Sequence, residues 1–236
     1  NLSIAQKEYS QLNGVLKKYT KTYQVKDLLK TVLDDRRQRD TLIRKICNVE
    51  NANDYFDALM EKNSTELTTL VIEGLPAKID TLTAYIKDEY YALCPLYNFY
   101  FTRDASASIG EDVLICKMAN QVRVRESMIM EAIFKCPQLF ECEMINANDY
   151  SHEKVGEGGM AGSQINAGLT VEGGDVLVVN DHILLVGNGL RTSTQGIDML
   201  ISRFCNDKKG GEKYILVQEL PGNVESFIHL DMVFTM

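Results

Sequence analysis

The hydrophobic periodicity of this chain changes once, near residue 96, and that change limits the folds open to it. Before it, apolar residues recur at three- and four-residue spacing; after it, they gather into short runs separated by turn residues. Residues 3–22 read as an amphipathic helix carrying Tyr9, Leu12, Leu16 and Tyr19, and Tyr23–Gln24–Val25 as a short strand or extended link. Residues 26–92 read as helical throughout. Leu28, Leu29, Val32 and Leu33 form one stripe, and Leu42, Ile43, Ile46 and Cys47 another. Ser64 is placed to cap a helix to about Ile72, stopped by Gly74 and Pro76, and Asp80 to cap a last one through Tyr85, Ile86 and Tyr90. Four or five short helices imply a small bundle.

From residue 96 the pattern predicts strands at Phe99–Thr102, Val113–Met118, Leu139–Ile145, Val176–Val179, Ile183–Val186, Tyr214–Gln218 and Met232–Thr235. Asn180–Asp181–His182 joins two of them as a hairpin. Residues 121–135 and 193–205 read as helices, the second capped by Ser193 or Thr194. This ββαβ rhythm fits an α/β fold of small repeated units better than a doubly wound sheet. The segment Gly156–Ser163 is Gly-rich without the Gly-Lys-Ser/Thr of a phosphate loop, so it reads as a mobile surface loop. His152–Glu153 lacks the second His of a zinc-protease helix.

Composition narrows the function. A net charge of −8 argues against a nucleic-acid groove and suits a small cationic ligand. The 6 cysteines sit in apolar stretches with no CxxC pair, which points to mostly buried thiols in a reducing, cytoplasmic setting and away from zinc or disulfides. No 18-residue apolar run is present, so no membrane span is expected. Both ends read as cut from something larger.

Four polar clusters stand beside this strand-like sequence: Asn98–Asp104, Glu172–Gly173–Gly174–Asp175, Arg191–Thr192–Ser193 and His229–Leu230–Asp231. An unpaired buried carboxylate is costly, and a cationic ligand would relieve that cost. Asp104, Glu172, Asp175 and Asp231 could grip a guanidinium, whose planar fork offers five N–H donors. The two glycines between Glu172 and Asp175 make either a kink that lets backbone approach a ligand or a plain bulge. On a strand, His229 and Asp231 would share a face and could form a proton-transfer unit. Arg123 and Arg191 each open an expected helix and could receive a carboxylate, or simply form surface ion pairs.

Pro95–Leu96–Tyr97–Asn98–Phe99–Tyr100–Phe101–Thr102–Arg103–Asp104 resembles the signature of the arginine deiminase family, with Tyr97 where that family has Pro. Glu172–Val178, Gly187–Ser193 and Phe227–Thr235 follow in the family's order, and residues 26–92 resemble its inserted helical domain. The resemblance implies a pseudo-fivefold ββαβ propeller, partial in this chain, formed by residues 1–25 and 93–236 around an inserted helical bundle at 26–92. It implies hydrolysis of L-arginine to L-citrulline and ammonia with no metal or organic cofactor; from charge and hydropathy no nucleic-acid or membrane partner is expected, and a homo-oligomer is compatible with both. Asp104 and Asp231 would hold the guanidinium nitrogens, and Glu172 and His229 would transfer protons. Asn98 and Phe101 would line the pocket, Arg123 and Arg191 would bind the α-carboxylate, and Asp175 would join the substrate contacts. The family's nucleophile is a cysteine in a Gly-rich loop beyond this sequence, so none of the cysteines here takes that role. An amidinotransferase, a deiminase of another guanidino compound and an inactive arginine-binding fragment stand as alternatives.

Overall fold

The computed structural model describes residues 2–86, 90–150, 168–205, 211–222 and 224–235. The Gly-rich segment and His152–Glu153 lie outside them. Helix α1 spans Leu2–Leu16, ending earlier than its periodicity suggests. Its apolar stripe gains little from packing: Leu12 and Val15 are half exposed and Tyr19 is almost fully so. Tyr9 anchors it, with its hydroxyl on Gln24 and its ring 6.0 Å from that of Tyr100. Gln24 is extended, and Val25 opens the next helix rather than ending a strand.

Helices α2 (Val25–Asp34) and α3 (Arg36–Val49) bury the two expected stripes against one another. Asp35 between them caps α3 by accepting from the N–H groups of Arg37 and Gln38. After α4 (Phe56–Met60) comes α5 (Ser64–Glu73), whose cap is Asn63, one residue before the Ser64 predicted. Glu66 falls at the third helical position from Asn63, so side chain and backbone satisfy each other reciprocally. Gly74 ends α5 at φ 103°, a conformation that favours glycine. The chain then leaves as β1 (Leu75–Pro76), and after α6 (Leu82–Ile86) it returns as β2 (Tyr91–Leu93), antiparallel to β1. This ribbon interrupts a zone read as wholly helical. Gly74 and Pro76 do more than stop a helix; they turn the chain into an extended edge.

The expected strand at Phe99–Thr102 is absent. The chain turns there and forms a single helical turn, α7 (Thr102–Ala105), which delivers Asp104 just before β3 (Ser106–Ile109). Strand β3 escaped the sequence reading because Ser-Ala-Ser-Ile carries little β-branched or aromatic signal. Strands β3 and β4 (Asp112–Ile115) are antiparallel; α8 (Val124–Phe134) crosses over, and β5 (Glu143–Asn146) lies parallel to β4. The same path recurs. Strands β6 (Val176–Asn180) and β7 (Ile183–Asn188) form a hairpin; α9 (Thr194–Leu200) runs into a wider π-type turn, and β8 (Tyr214–Glu219) lies parallel to β7. Two ββαβ units therefore stand among the described residues.

One apolar core runs through both units and the helices before them, joining Leu29 and Ile43 to Ile129, Ile133, Leu114 and Leu184. Burying each such side chain contributes about 1.5–3 kcal/mol. Arg125 ties α8 to the helical side: Nη1 donates to the carbonyl of Val71 at 3.0 Å, Nη2 to that of Cys94, and Nε pairs with Glu50 at 2.7 Å. No helix of the described residues is long and apolar enough to cross a membrane.

The closing strand expected at Met232–Thr235 is also absent. His229 is extended, and Leu230–Met232 form a 3-10 turn. His229 and Asp231 therefore do not share a face as they would on a strand: His229 is buried, while Asp231 stands exposed.

Candidate active site

The two ββαβ units meet along a seam built from backbone. Val171 N–H donates to Lys117 C=O at 3.0 Å as an isolated antiparallel bridge, and Arg103 Nη2 donates to the carbonyl of Val176 at 2.7 Å. Glycine makes the seam possible. A Cβ on Gly173 would lie 2.0 Å from the carbonyl oxygen of Arg103, and one on Gly174 would lie 2.8 Å from His229 Cγ and 3.0 Å from Asp104 Oδ1. The Gly-Gly pair thus serves close approach, with Gly173–Asp175 forming a 3-10 turn that leads into β6.

Charge collects at this seam. Asp104 comes from α7 in the first unit, Glu172 from the approach to β6 in the second, and His229 from the final turn; all three are buried. Ligand atoms of these three lie within 4.8 Å of one another. His229 Nε2 pairs with Glu172 Oε2 at 2.8 Å, and His229 Nδ1 is 3.7 Å from Asp104 Oδ1. Glu172 Oε1 accepts from the N–H of Ala119 at 3.0 Å, and the backbone N–H of Glu172 donates to the Thr192 hydroxyl at 3.1 Å. Both carboxyl oxygens of Glu172 are thereby fixed.

Arg123 enters from the N-terminus of α8. Its Nη1 donates to Asp104 Oδ2 at 2.8 Å and lies 3.6 Å from Glu172 Oε2, while Nε and Nη2 engage Glu126. The cluster thus already holds one guanidinium, supplied by the chain itself. Arg191 approaches from the other side, with Nη1 3.8 Å from Glu172 Oε1 and the side chain 24% exposed. The expected residues Asp104, Glu172, His229, Arg123 and Arg191 all converge here. Asp175 is buried beneath them, and its Oδ1 accepts from the N–H of Leu230 at 2.9 Å, which fixes the turn carrying His229. Asn98, Phe101 and Asp231 are exposed at the rim, and the carbonyl of Asn98 lies 3.4 Å from Arg123 Nη2. Sequence reading missed Glu126, although Arg123 and Glu126 stand three apart at the start of a predicted helix, the spacing of a same-face ion pair.

Burial and charge oppose each other at these groups. Burial alone would depress His229, but its bond to Glu172 and the charges of Asp104 and Asp175 outweigh that and hold it above the usual histidine value. Burial pushes the Asp175 carboxyl up to about 6, against the downward pull of Thr192 and His229. Asp231 is exposed yet partly desolvated, which, reinforced by Asp104, raises it, while His229 and Arg103 pull it down. Burial lowers Arg123, but Glu126 and Asp104 more than offset it and raise it. Cys116 is fully buried, and burial followed by the charges of Glu172 and Asp104 drives its thiol strongly upward. Such a thiol is a poor nucleophile. Asp104, Glu172 and His229 also offer the donor types a divalent metal uses, but a cation bound among them would have to compete with the Arg123 guanidinium.

Comparison with known proteins places the chain in a family. The family model described as arginine deiminase matches residues 1–236. The arginine deiminase of Bacillus cytotoxicus is 29% identical over 100% of this chain and 57% of its own length. That of Levilactobacillus brevis is 36% identical over 70% of this chain and 36% of its own. The chain spans about half the length of the curated relatives it matches, or less. A dimethylarginine dimethylaminohydrolase of Pseudomonas aeruginosa, solved with citrulline, aligns over 64% of this chain and 58% of its own at 18% identity, with a TM-score of 0.37, a superposition too loose to argue from. On the whole-length match and the relatives together, the chain belongs to the arginine deiminase family.

Proposed function

We propose that the full-length protein hydrolyses L-arginine to L-citrulline and ammonia through a cysteine-bound amidino intermediate. The observation that carries this reading is the buried convergence of Asp104, Glu172 and His229 around a guanidinium, that of Arg123. A site that holds one guanidinium in this way has the chemistry to hold a second at its open edge. Asp104 and the rim residue Asp231 would grip the substrate's nitrogens, with Asn98 and Phe101 forming the mouth. The nucleophile would be a cysteine outside the six of this chain. Its thiolate would attack the guanidinium carbon and form a C–S bond while the C–N bond breaks. His229, whose raised pKa favours the protonated form, would give its proton to the departing ammonia. Paired with Glu172, it would then take one from the attacking water, whose oxygen replaces sulfur to release citrulline.

Arg191 would meet the α-carboxylate. Arg123 spends its fork on Asp104 and Glu126, so in this reading it orders the acids more than it touches substrate. That engagement gives some support to a second reading, a guanidino substrate without an α-carboxylate, which turnover of decarboxylated arginine in preference to arginine would reveal. We also read the two ββαβ units as parts of a fivefold propeller in a cytoplasmic enzyme, with residues 26–92 as its inserted helical domain. Asp231→Ala in the full-length protein tests the functional proposal. Citrulline production should be lost while the far-ultraviolet circular dichroism is kept, and turnover close to wild type would count decisively against the site.

A further inference from the structure

The Arg123 guanidinium stands between three acids, and its contacts with them are unequal. Glu126 takes the largest share: Nε donates to Oε1 at 3.2 Å and to Oε2 at 3.1 Å, and Nη2 donates to Oε2 at 2.7 Å. Asp104 receives Nη1 at 2.8 Å, and Glu172 Oε2 lies 3.6 Å from the same nitrogen. Yet Oε2 is also the oxygen that holds His229 at 2.8 Å. A guanidinium turned slightly toward Glu172 would compete directly with the histidine for that oxygen. Glu126 is 1% exposed and Arg123 5%, so bulk solvent screens these contacts little. A planar fork held along one edge has one orientation left for its remaining nitrogen.

We infer that Glu126 is a positioning residue: it fixes the edge of Arg123 so that Nη1 serves Asp104 and leaves Glu172 to His229. The inference rests on the reading of the site given above. Glu126 accepts from Nε and Nη2 of Arg123, the edge opposite the Nη1 that faces Asp104 and Glu172. It therefore contributes to proton transfer without touching substrate.

A double-mutant cycle in the full-length protein tests this, with citrulline formation as the readout. Glu126→Gln should lower kcat/KM roughly 10- to 100-fold, as for residues that orient a metal ligand from behind. The loss should fall mainly on kcat, because the Glu172–His229 pair is the proton-transfer unit. In an Arg123→Gln background the same change should cost less than about threefold, since the residue it positions is gone. Equal losses in both backgrounds would overturn the inference, as would a loss confined to KM. If Glu126→Gln fails to fold by circular dichroism, Glu126→Asp, which keeps the charge on a shorter arm, replaces it in the cycle with the same two outcomes. A wild-type protein that forms no citrulline would remove the functional reading and this inference together; an active wild type with additive losses would remove the inference alone.

Discussion

In the first ββαβ unit the third strand, β5, is partly buried at Met144, Ile145 and Asn146, and α8 with the turn before it buries Arg123, Arg125, Glu126 and Glu131. In the second, Tyr214, Leu216 and Val217 of β8 stand about half exposed. The two units share a path, so topology does not account for the difference. Packing partners do. Helices α2 and α3 lie against α8, and each buried charge of that helix has a counter-charge: Glu126 and Asp104 for Arg123, Glu50 for Arg125, and Lys45 and Lys135 for Glu131. Among the described residues, no comparable layer covers β8. A ββαβ unit thus specifies a path but not its own surroundings, and the candidate site lies where the covered unit meets the open one.

The seam between the units is the place to break this picture most severely. Gly173→Ala puts a Cβ 2.0 Å from the carbonyl oxygen of Arg103, a backbone atom that cannot swing aside. A loss of about 4 kcal/mol or more is expected, read as a lower midpoint in urea unfolding. In the first unit, Leu114→Ala leaves a cavity in a fully buried layer and should cost about 3 kcal/mol. Asp175 gives a pH-dependent effect. Its carboxyl is raised from 3.8 to about 6 by burial, so folding favours its protonated form. That contribution is complete below the lower value and is lost as pH rises through the upper one. Asp175→Asn keeps an acceptor for the N–H of Leu230 and does not titrate. Between pH 4 and 6 wild type should therefore lose about 2 kcal/mol relative to the variant, measured by thermal unfolding at each pH. The smallest effect belongs to the open unit: Leu216→Ala, at a side chain already half in water, should cost less than about 1 kcal/mol. A cost there equal to that of Leu114→Ala would mean that β8 is covered in the working protein.

Much of this was legible in the sequence because the signals were local. The stripes at Leu28–Leu33 and Leu42–Cys47, the hairpin at Asn180–His182, the Ser193 cap and the crossover helices follow from periodicity and turn chemistry, and the structure has them. Runs of aromatic and β-branched residues misled at Phe99–Thr102 and Met232–Thr235. There the chain turns so that Asp104 and His229 can reach the seam, a tertiary demand that overrides strand propensity. Strand β3 was missed for the opposite reason: Ser106–Ile109 has small residues where β-propensity expects large ones. The carboxylates and His229 stood out because charge beside apolar sequence is costly. Glu126 did not, because a Glu in the first turn of a helix is an ordinary helix-start signal, and only the coordinates show it locked to Arg123.

The most direct test of the seam as a working site is citrulline formation from arginine by the full-length protein carrying Glu172→Gln, with folding checked by circular dichroism. This change keeps the side chain's shape and removes the charge that pairs with His229 at 2.8 Å. The expected result is a folded protein whose kcat falls by about 10²- to 10⁴-fold, the usual contribution of a positioned proton-transfer group. A folded variant within tenfold of wild type would contradict it.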